Sequence, residues 1–186
     1  MIEVVKTEIP GVLIIEPKVF GDDRGYFMES FNAREFTEKT GIEITFVQDN
    51  ESKSRYGVLR GLHFQLPPYT QSKLVRVVKG KVLDVAVDIR KGSPTYGKYV
   101  TCEMTEENKR QFFVPKGFAH GFCVLSEEAI FQYKCDDFYH PEAEGAIAWD
   151  DPDIAIQWPV EEDNVILSEK DKHHPNLNDY ESPFSF

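Results

Sequence analysis

The chain has 186 residues, enough for one domain with a substantial core and short for two. Hydrophobic residues make up 41% and charged residues 28%, ordinary for a globular protein, and the net charge of -11 excludes nucleic acid as the main partner, because neutralising phosphates needs a surplus of Lys and Arg. No apolar run approaches the ~20 residues of a membrane-spanning helix, and Met1–Lys6 lacks the order of a secretion signal, so a cytoplasmic protein without a membrane partner is expected.

In chain order, Val12–Ile15 is a β-branched run bounded by Pro10-Gly11 and Pro17, and is expected to be a strand. A turn at Gly21–Gly25 precedes a second short strand over Tyr26–Phe31. Asn32-x-x-Glu35 has the form of a capping box, so Asn32–Thr40 is expected to be a helix stopped by Gly41. Ile44–Gln48 is strand-like and runs into the polar group Gln48–Ser52. Gly57–Gln65 is the next strand, ended by Pro67-Pro68. Lys73–Val78 and Val82–Ile89 flank Lys79-Gly80-Lys81, which predicts a hairpin. Within the second arm Leu83, Val85, Val87 and Ile89 share one face, expected to meet the core; Asp84, Ala86, Asp88 and Arg90 share the other, expected to be the polar face.

Further strands are expected at Tyr99–Met104, at Phe112–Val114, over Phe118–Leu125 and at Ala129–Cys135. Glu142–Asp153 is loop-like and acidic, and Ser168–Lys172 is a polar segment with helical character. Cys102, Cys123 and Cys135 are odd in number and lack CxxC spacing, which fits reduced core thiols rather than disulfides or a zinc site. Eight or more short strands with Gly/Pro turns and one helix predict an all-β antiparallel sandwich or barrel.

The chemistry concentrates in Leu59-Arg60-Gly61-Leu62-His63-Phe64-Gln65 and the run that follows. An arginine, a histidine and a lysine, Arg60, His63 and Lys73, fall within 14 residues of otherwise buried-strand character. Burying such groups among Val, Leu and Phe is unfavourable without a task.

Asp22–Glu29, Phe46–Asn50, Leu59–Gln65, Lys73–Val77, Pro115-x-Gly117-Phe118-Ala119-His120-Gly121-Phe122, Tyr133-Lys134-Cys135, Trp149–Pro152 and Leu167–Asp171 together closely resemble the dTDP-4-dehydrorhamnose 3,5-epimerase family. The ordered set covers nearly the whole chain. The resemblance implies a single cupin-type jelly-roll domain over residues 1–186 with a few short helices, a metal-free site needing no cofactor, and a homodimer. The substrate it implies is a dTDP-linked 4-keto-6-deoxy sugar, inverted at C3 and C5 in dTDP-L-rhamnose synthesis.

Such inversion needs a base on one face, a stabiliser for the enolate oxygen and an acid on the other face. The resemblance makes His63 the base, Asp171 its partner, Lys73 the enolate stabiliser and Tyr133 the acid. Taken alone, His63 is more often a satisfied core histidine, Lys73 an edge-strand lysine and Tyr133 a core tyrosine. Arg24, Arg60 and Lys170 suit the diphosphate. Glu29, Gln48 and Asn50 are implied hydrogen-bond partners of the substrate, with Phe27, His120 and Glu144 as further binding positions and Tyr139 as the residue stacked on thymine. The family places Arg24 and Glu29 in the neighbouring subunit's site.

Strict period-two alternation puts Arg60 and His63 on opposite faces of one strand. Both serve one site only if Gly61 marks a bulge or Arg60 lies at the strand's end. Three rival functions compete. A metal-binding cupin wants a His-x-His pair with a downstream Glu, whereas position 65 is Gln. A non-catalytic sugar-binding module would lose the acid or base, yet His63, Asp171 and Tyr133 are all present. A single C3-epimerase of a related nucleotide keto-sugar is compatible with the same motifs.

Overall fold

A computed structural model describes residues 1–186. Thirteen strands follow in order: β1 (Ile2–Lys6), β2 (Leu13–Pro17), β3 (Phe20–Asp22), β4 (Gly25–Phe27), then after helix α1 (Ala33–Thr40) β5 (Gln48–Arg55), β6 (Leu59–Gln65), β7 (Lys73–Lys79), β8 (Lys81–Asp88), β9 (Tyr99–Thr105), β10 (Gln111–Val114), β11 (Phe118–Val124), β12 (Glu128–Cys135) and β13 (Glu144–Ala146). A six-stranded sheet runs β1-β2-β10-β7-β12-β5, a five-stranded sheet runs β13-β6-β11-β8-β9, and β3-β4 form a separate ribbon. Pairing within the sheets is antiparallel throughout, as a cupin-type jelly roll requires.

The space between the two large sheets is filled by inward side chains of both. Val75, Val77, Phe112, Val114 and Phe131 come from one wall, and Val82, Ala86, Met104, Phe118, Phe122 and Val124 from the other. The outer face of the six-stranded sheet is covered by α1, whose Phe36 packs on Leu13, Ile15, Leu74 and Phe113. The outer face of the five-stranded sheet is covered by the C-terminal segment, with Ile147, Ile154, Leu177 and Phe184 against Leu62, Phe64, Val85 and Val87.

Helix α1 starts and stops as expected. Asn32 Oδ1 accepts from the Glu35 N–H at 3.2 Å, and Gly41, at φ +73°, donates its N–H to Thr37 O. Glu35 does not reach back to complete the box; its carboxylate accepts from the Ile2 N–H at 2.7 Å and tethers β1.

Five sequence expectations are corrected. Lys79-Gly80-Lys81 is not a hairpin: β7 and β8 lie in different sheets, because one residue cannot close a two-stranded turn and the chain instead crosses the barrel corner. Gly80 sits there at φ +79°, where a Cβ would fall 2.1 Å from Glu128 O. The supposed polar face of β8 points inward, so Asp84 and Asp88 are fully buried, while Val85 and Val87 meet the C-terminal cover. Period two identifies two faces but not which is inside.

Ile44–Val47 is not a strand. Ile44 and Phe46 pack beneath α1, and the polar run from Gln48 onward is the edge strand β5. Of the expected strand at 26–31 only Tyr26 and Phe27 are extended, as part of β4, which pairs with Phe20–Asp22. The acidic stretch after Glu142 contains β13, which pairs with β6. Lys170–Lys172 forms one 3₁₀ turn. No helix is long and apolar enough to cross a membrane.

Candidate active site

The inward positions at one end of the barrel are polar rather than apolar. In β7, Lys73 shares parity with Val75 and Val77; in β12, Tyr133 shares parity with Phe131 and Ala129. Both therefore point into the barrel from the six-stranded wall. From the five-stranded wall come His63, His120 and Asp84.

The Arg60–His63 conflict is resolved by a bulge. His120 pairs with His63 and Phe122 with Arg60, so three steps along β6 oppose two along β11. The extra residue sits at Gly61, at φ +143°, where a Cβ would fall 2.6 Å from Gly121 Cα. Arg60 thus turns inward with His63, and its guanidinium donates to Ser54 Oγ of β5 at 3.2 and 3.3 Å.

His63 Nε2 lies 2.5 Å from Asp171 Oδ1. With Nε2–H donating to this carboxylate, Nδ1 retains a lone pair. Burial alone would raise the Asp171 pKa, but hydrogen bonds from His63, Ser168 and His174 outweigh it and hold the carboxyl below its ordinary value. His63 itself is half exposed, so it can meet a ligand in the barrel mouth.

A second imidazole–carboxylate pair stands beside the first. His120 Nε2 is 2.7 Å from Asp84 Oδ1, both groups are buried, and Asp84 Oδ2 has no hydrogen-bond partner. Burial drives the Asp84 pKa up, with His120 and Lys73 opposing. Burial also lowers the Lys73 pKa, opposed by Cys135 and Asp84. The Lys73 ammonium lies 5.8 Å from the centroid of the Tyr133 ring, and burial raises the Tyr133 pKa, with Arg60 working against it. Phe131 stacks on Phe122 at 4.1 Å and lies 6.4 Å from the His120 ring, making an apolar floor.

At the rim, Gln48 donates to Asn50 Oδ1 at 3.0 Å, and Asn50 reaches Cys135 Sγ at 3.8 Å. Glu144 is gripped by the Tyr139 hydroxyl and by Lys170, each at 2.7 Å, and these contacts pull its pKa down. Lys170 is thus engaged by a carboxylate rather than free. Arg24, Phe27 and Glu29 are not gathered here. Arg24 is 89% exposed and pairs with Asp22 at 2.6 Å, Phe27 is exposed on the β3-β4 ribbon, and Glu29 lies 3.7 Å from the N-terminal ammonium.

Asp84, Ser54, Ser168 and His174 escaped sequence reasoning. An Asp amid Val residues in β8 was the available signal for Asp84; the other three become neighbours only through register and the folding back of the C-terminal segment.

The model of the dTDP-4-dehydrorhamnose 3,5-epimerase family matches residues 6–179. A dTDP-4-dehydrorhamnose 3,5-epimerase of Shigella flexneri is 62% identical over 168 residues, covering 90% of this chain and 92% of that protein. A Legionella pneumophila 3,5-epimerase, solved in complex with dTDP-4-keto-L-rhamnose, superposes with a TM-score of 0.92 at 55% identity, covering 96% of this chain and 94% of that one. A 3'-monoepimerase from Streptomyces bikiniensis, solved with dTDP-quinovose, gives a TM-score of 0.86 at 33% identity, covering 92% and 86%. A jelly roll whose polar end gathers His63, Asp171, Lys73 and Tyr133, with relatives this similar over nearly their whole length, makes the chain a member of the dTDP-4-dehydrorhamnose 3,5-epimerase family, an isomerase.

Proposed function

We propose that the chain inverts C3 and C5 of dTDP-4-dehydro-6-deoxy-D-glucose by a two-base-face mechanism in which His63 removes the protons and Tyr133 returns them. The observation that carries this reading is that His63 and Tyr133 occupy inward positions on opposite sheets, with Phe131 between Tyr133 and the His120 ring that pairs with His63 in register. Inversion needs a proton taken from one face of the sugar and delivered to the other. The Nδ1 lone pair of His63 accepts the proton, and the ionised Asp171 carboxylate stabilises the imidazolium that results. Lys73, on the Tyr133 side, meets the C4 oxygen as it becomes an enolate. Burial lowers its pKa, which makes the ammonium a stronger hydrogen-bond donor to that oxygen. Tyr133, still protonated at neutral pH, donates to the carbanion face. Arg60 binds the diphosphate, with Lys170 doing so after release from Glu144. Gln48, Asn50, His120, Tyr139 and Glu144 hold the nucleotide and sugar.

The protein acts as a single cupin-type domain in a cytoplasmic homodimer, with Arg24, Phe27 and Glu29 serving the partner's site. The exposure of these three residues on one chain supports that placement. Mixing inactive His63→Ala and Arg24→Ala chains should restore turnover, since one site of the mixed dimer is then complete; no recovery would leave Arg24 without a role across the interface.

Proton NMR in deuterium oxide with dTDP-4-keto-6-deoxyglucose tests the reaction. Deuterium at both C3 and C5 is expected. Tyr133→Phe should slow double inversion by about 10²-fold while sparing proton abstraction. Deuterium at C3 alone in the wild type would make the chain a single epimerase, as in the S. bikiniensis relative.

A further inference from the structure

Asp171 Oδ1 serves two imidazoles rather than one. His63 Nε2 lies 2.5 Å from it and His174 Nε2 lies 3.3 Å from it. The two rings stand 5.9 Å apart at 88°, and the three ligand-type atoms fall within 4.8 Å of one another. We propose that His63, Asp171 and His174 form an inhibitory site for a divalent transition ion, Zn²⁺ being the best fit, and that the bound ion silences the epimerase. The inhibition, though not the ion binding, rests on His63 being the base.

Two imidazoles and one carboxylate suit Zn²⁺, Co²⁺, Ni²⁺ or Cu²⁺ and discriminate against Mg²⁺ and Ca²⁺. Zn²⁺ imposes no rigid geometry, and ligand bonds of about 2.0–2.2 Å in a tetrahedron place neighbouring ligand atoms about 3.4 Å apart. The His174–Asp171 separation already matches that spacing. His63 must back away from Asp171 by about 1 Å to match it too, and its ring is 45% exposed and His174's 21%, so both have room.

Asp171 is the anchor. It is 4% exposed, and Ser168 Oγ binds Oδ2 at 2.9 Å, which orients the carboxylate and leaves Oδ1 for the ion. Lys170, next in sequence to Asp171, is neutralised by Glu144 at 2.7 Å, and the net charge of -11 favours approach of a cation. Water would fill the fourth position.

The consequence for the base follows from the ring tautomer. In the ion-free site Nε2 carries the proton and Nδ1 the lone pair. An ion bound at Nε2 takes the lone pair there, and the ring proton moves to Nδ1. No proton acceptor then faces the substrate.

The test is titration of chelator-treated protein with Zn²⁺ by calorimetry, alongside ring ¹⁵N NMR of the histidines. One ion per chain is expected, perturbing the resonances of His63 and His174. Stoichiometric Zn²⁺ should suppress turnover, and EDTA should restore it. His174→Ala, or His174→Asn if the first variant folds poorly, should weaken binding roughly 10–100-fold and lift the inhibition relative to its own ion-free rate. Absence of stoichiometric binding, perturbation confined to other histidines, or a His174 variant bound and inhibited like the wild type would overturn the proposal. Calorimetry and NMR need no turnover, so a failure of the epimerase reaction itself would be distinguishable from a failure of the ion site.

Discussion

Two imidazole–carboxylate pairs flank one strand pairing, with His63 directly opposite His120 in register, and they are built in opposite ways. In the first, the ring is 45% exposed and the carboxylate is met by His63, Ser168 and His174, so the Asp171 pKa falls. In the second, the ring is 8% exposed and one oxygen of the buried Asp84 carboxylate has no partner, so burial wins and its pKa rises. The same two chemical groups diverge because Asp84 is the more deeply buried and Asp171 has the more donors, not because of the presence of a histidine. The first pair suits an imidazolium that comes and goes. The second suits a ring held still by a buried carboxylate that Lys73 also attracts.

The largest effect should separate the two rings. His63→Asn should lower kcat/KM by about 10³-fold, as expected for loss of a general base, and abolish deuterium uptake from solvent. His120→Asn should cost about tenfold, the worth of one hydrogen bond, with exchange preserved. The reverse ranking would move the base to His120.

Next, the carboxylates should respond oppositely to acid. Asp171 has a depressed folded pKa, so its stabilisation is present above the ordinary carboxylate value and is lost as pH falls through the folded one. Asp84 has a raised folded pKa, so the wild type is penalised at neutral pH and regains that stability as pH falls through the raised value. Thermal unfolding against pH should therefore show the wild type losing its advantage over Asp171→Asn in acid while gaining on Asp84→Asn. Parallel curves would erase the distinction.

The last effect is read in stability and concerns the bulge that turns Arg60 inward beside His63. Gly61→Ala should destabilise by at least about 1–3 kcal/mol, the scale of a backbone conformation that L side chains resist, read by denaturant unfolding. An unchanged midpoint would mean that the β6–β11 register does not depend on that glycine.

How much of this was legible from residues alone varies by element. The strands around Leu59–Gln65 and Phe118–Leu125, the α1 caps and the all-β class followed from local pattern, because each depends on neighbours within a few positions. The inward turn of Asp84 did not, since alternation is symmetric between faces until a second layer covers one of them. Edge strand β5 was hidden because Gln48–Arg55 faces a polar barrel end and carries no apolar signal. The corner at Gly80 imitates a hairpin because both use glycine for positive φ. His63 and Asp171 lie 108 positions apart, and nothing local links them.

The C-terminal segment that shields the five-stranded sheet also carries Asp171 and Ser168. The roof and the carboxylate paired with His63 are therefore one piece of chain, made after every strand. Loss of this segment would therefore uncover the apolar outer face of the five-stranded sheet and strip His63 of its carboxylate partner together.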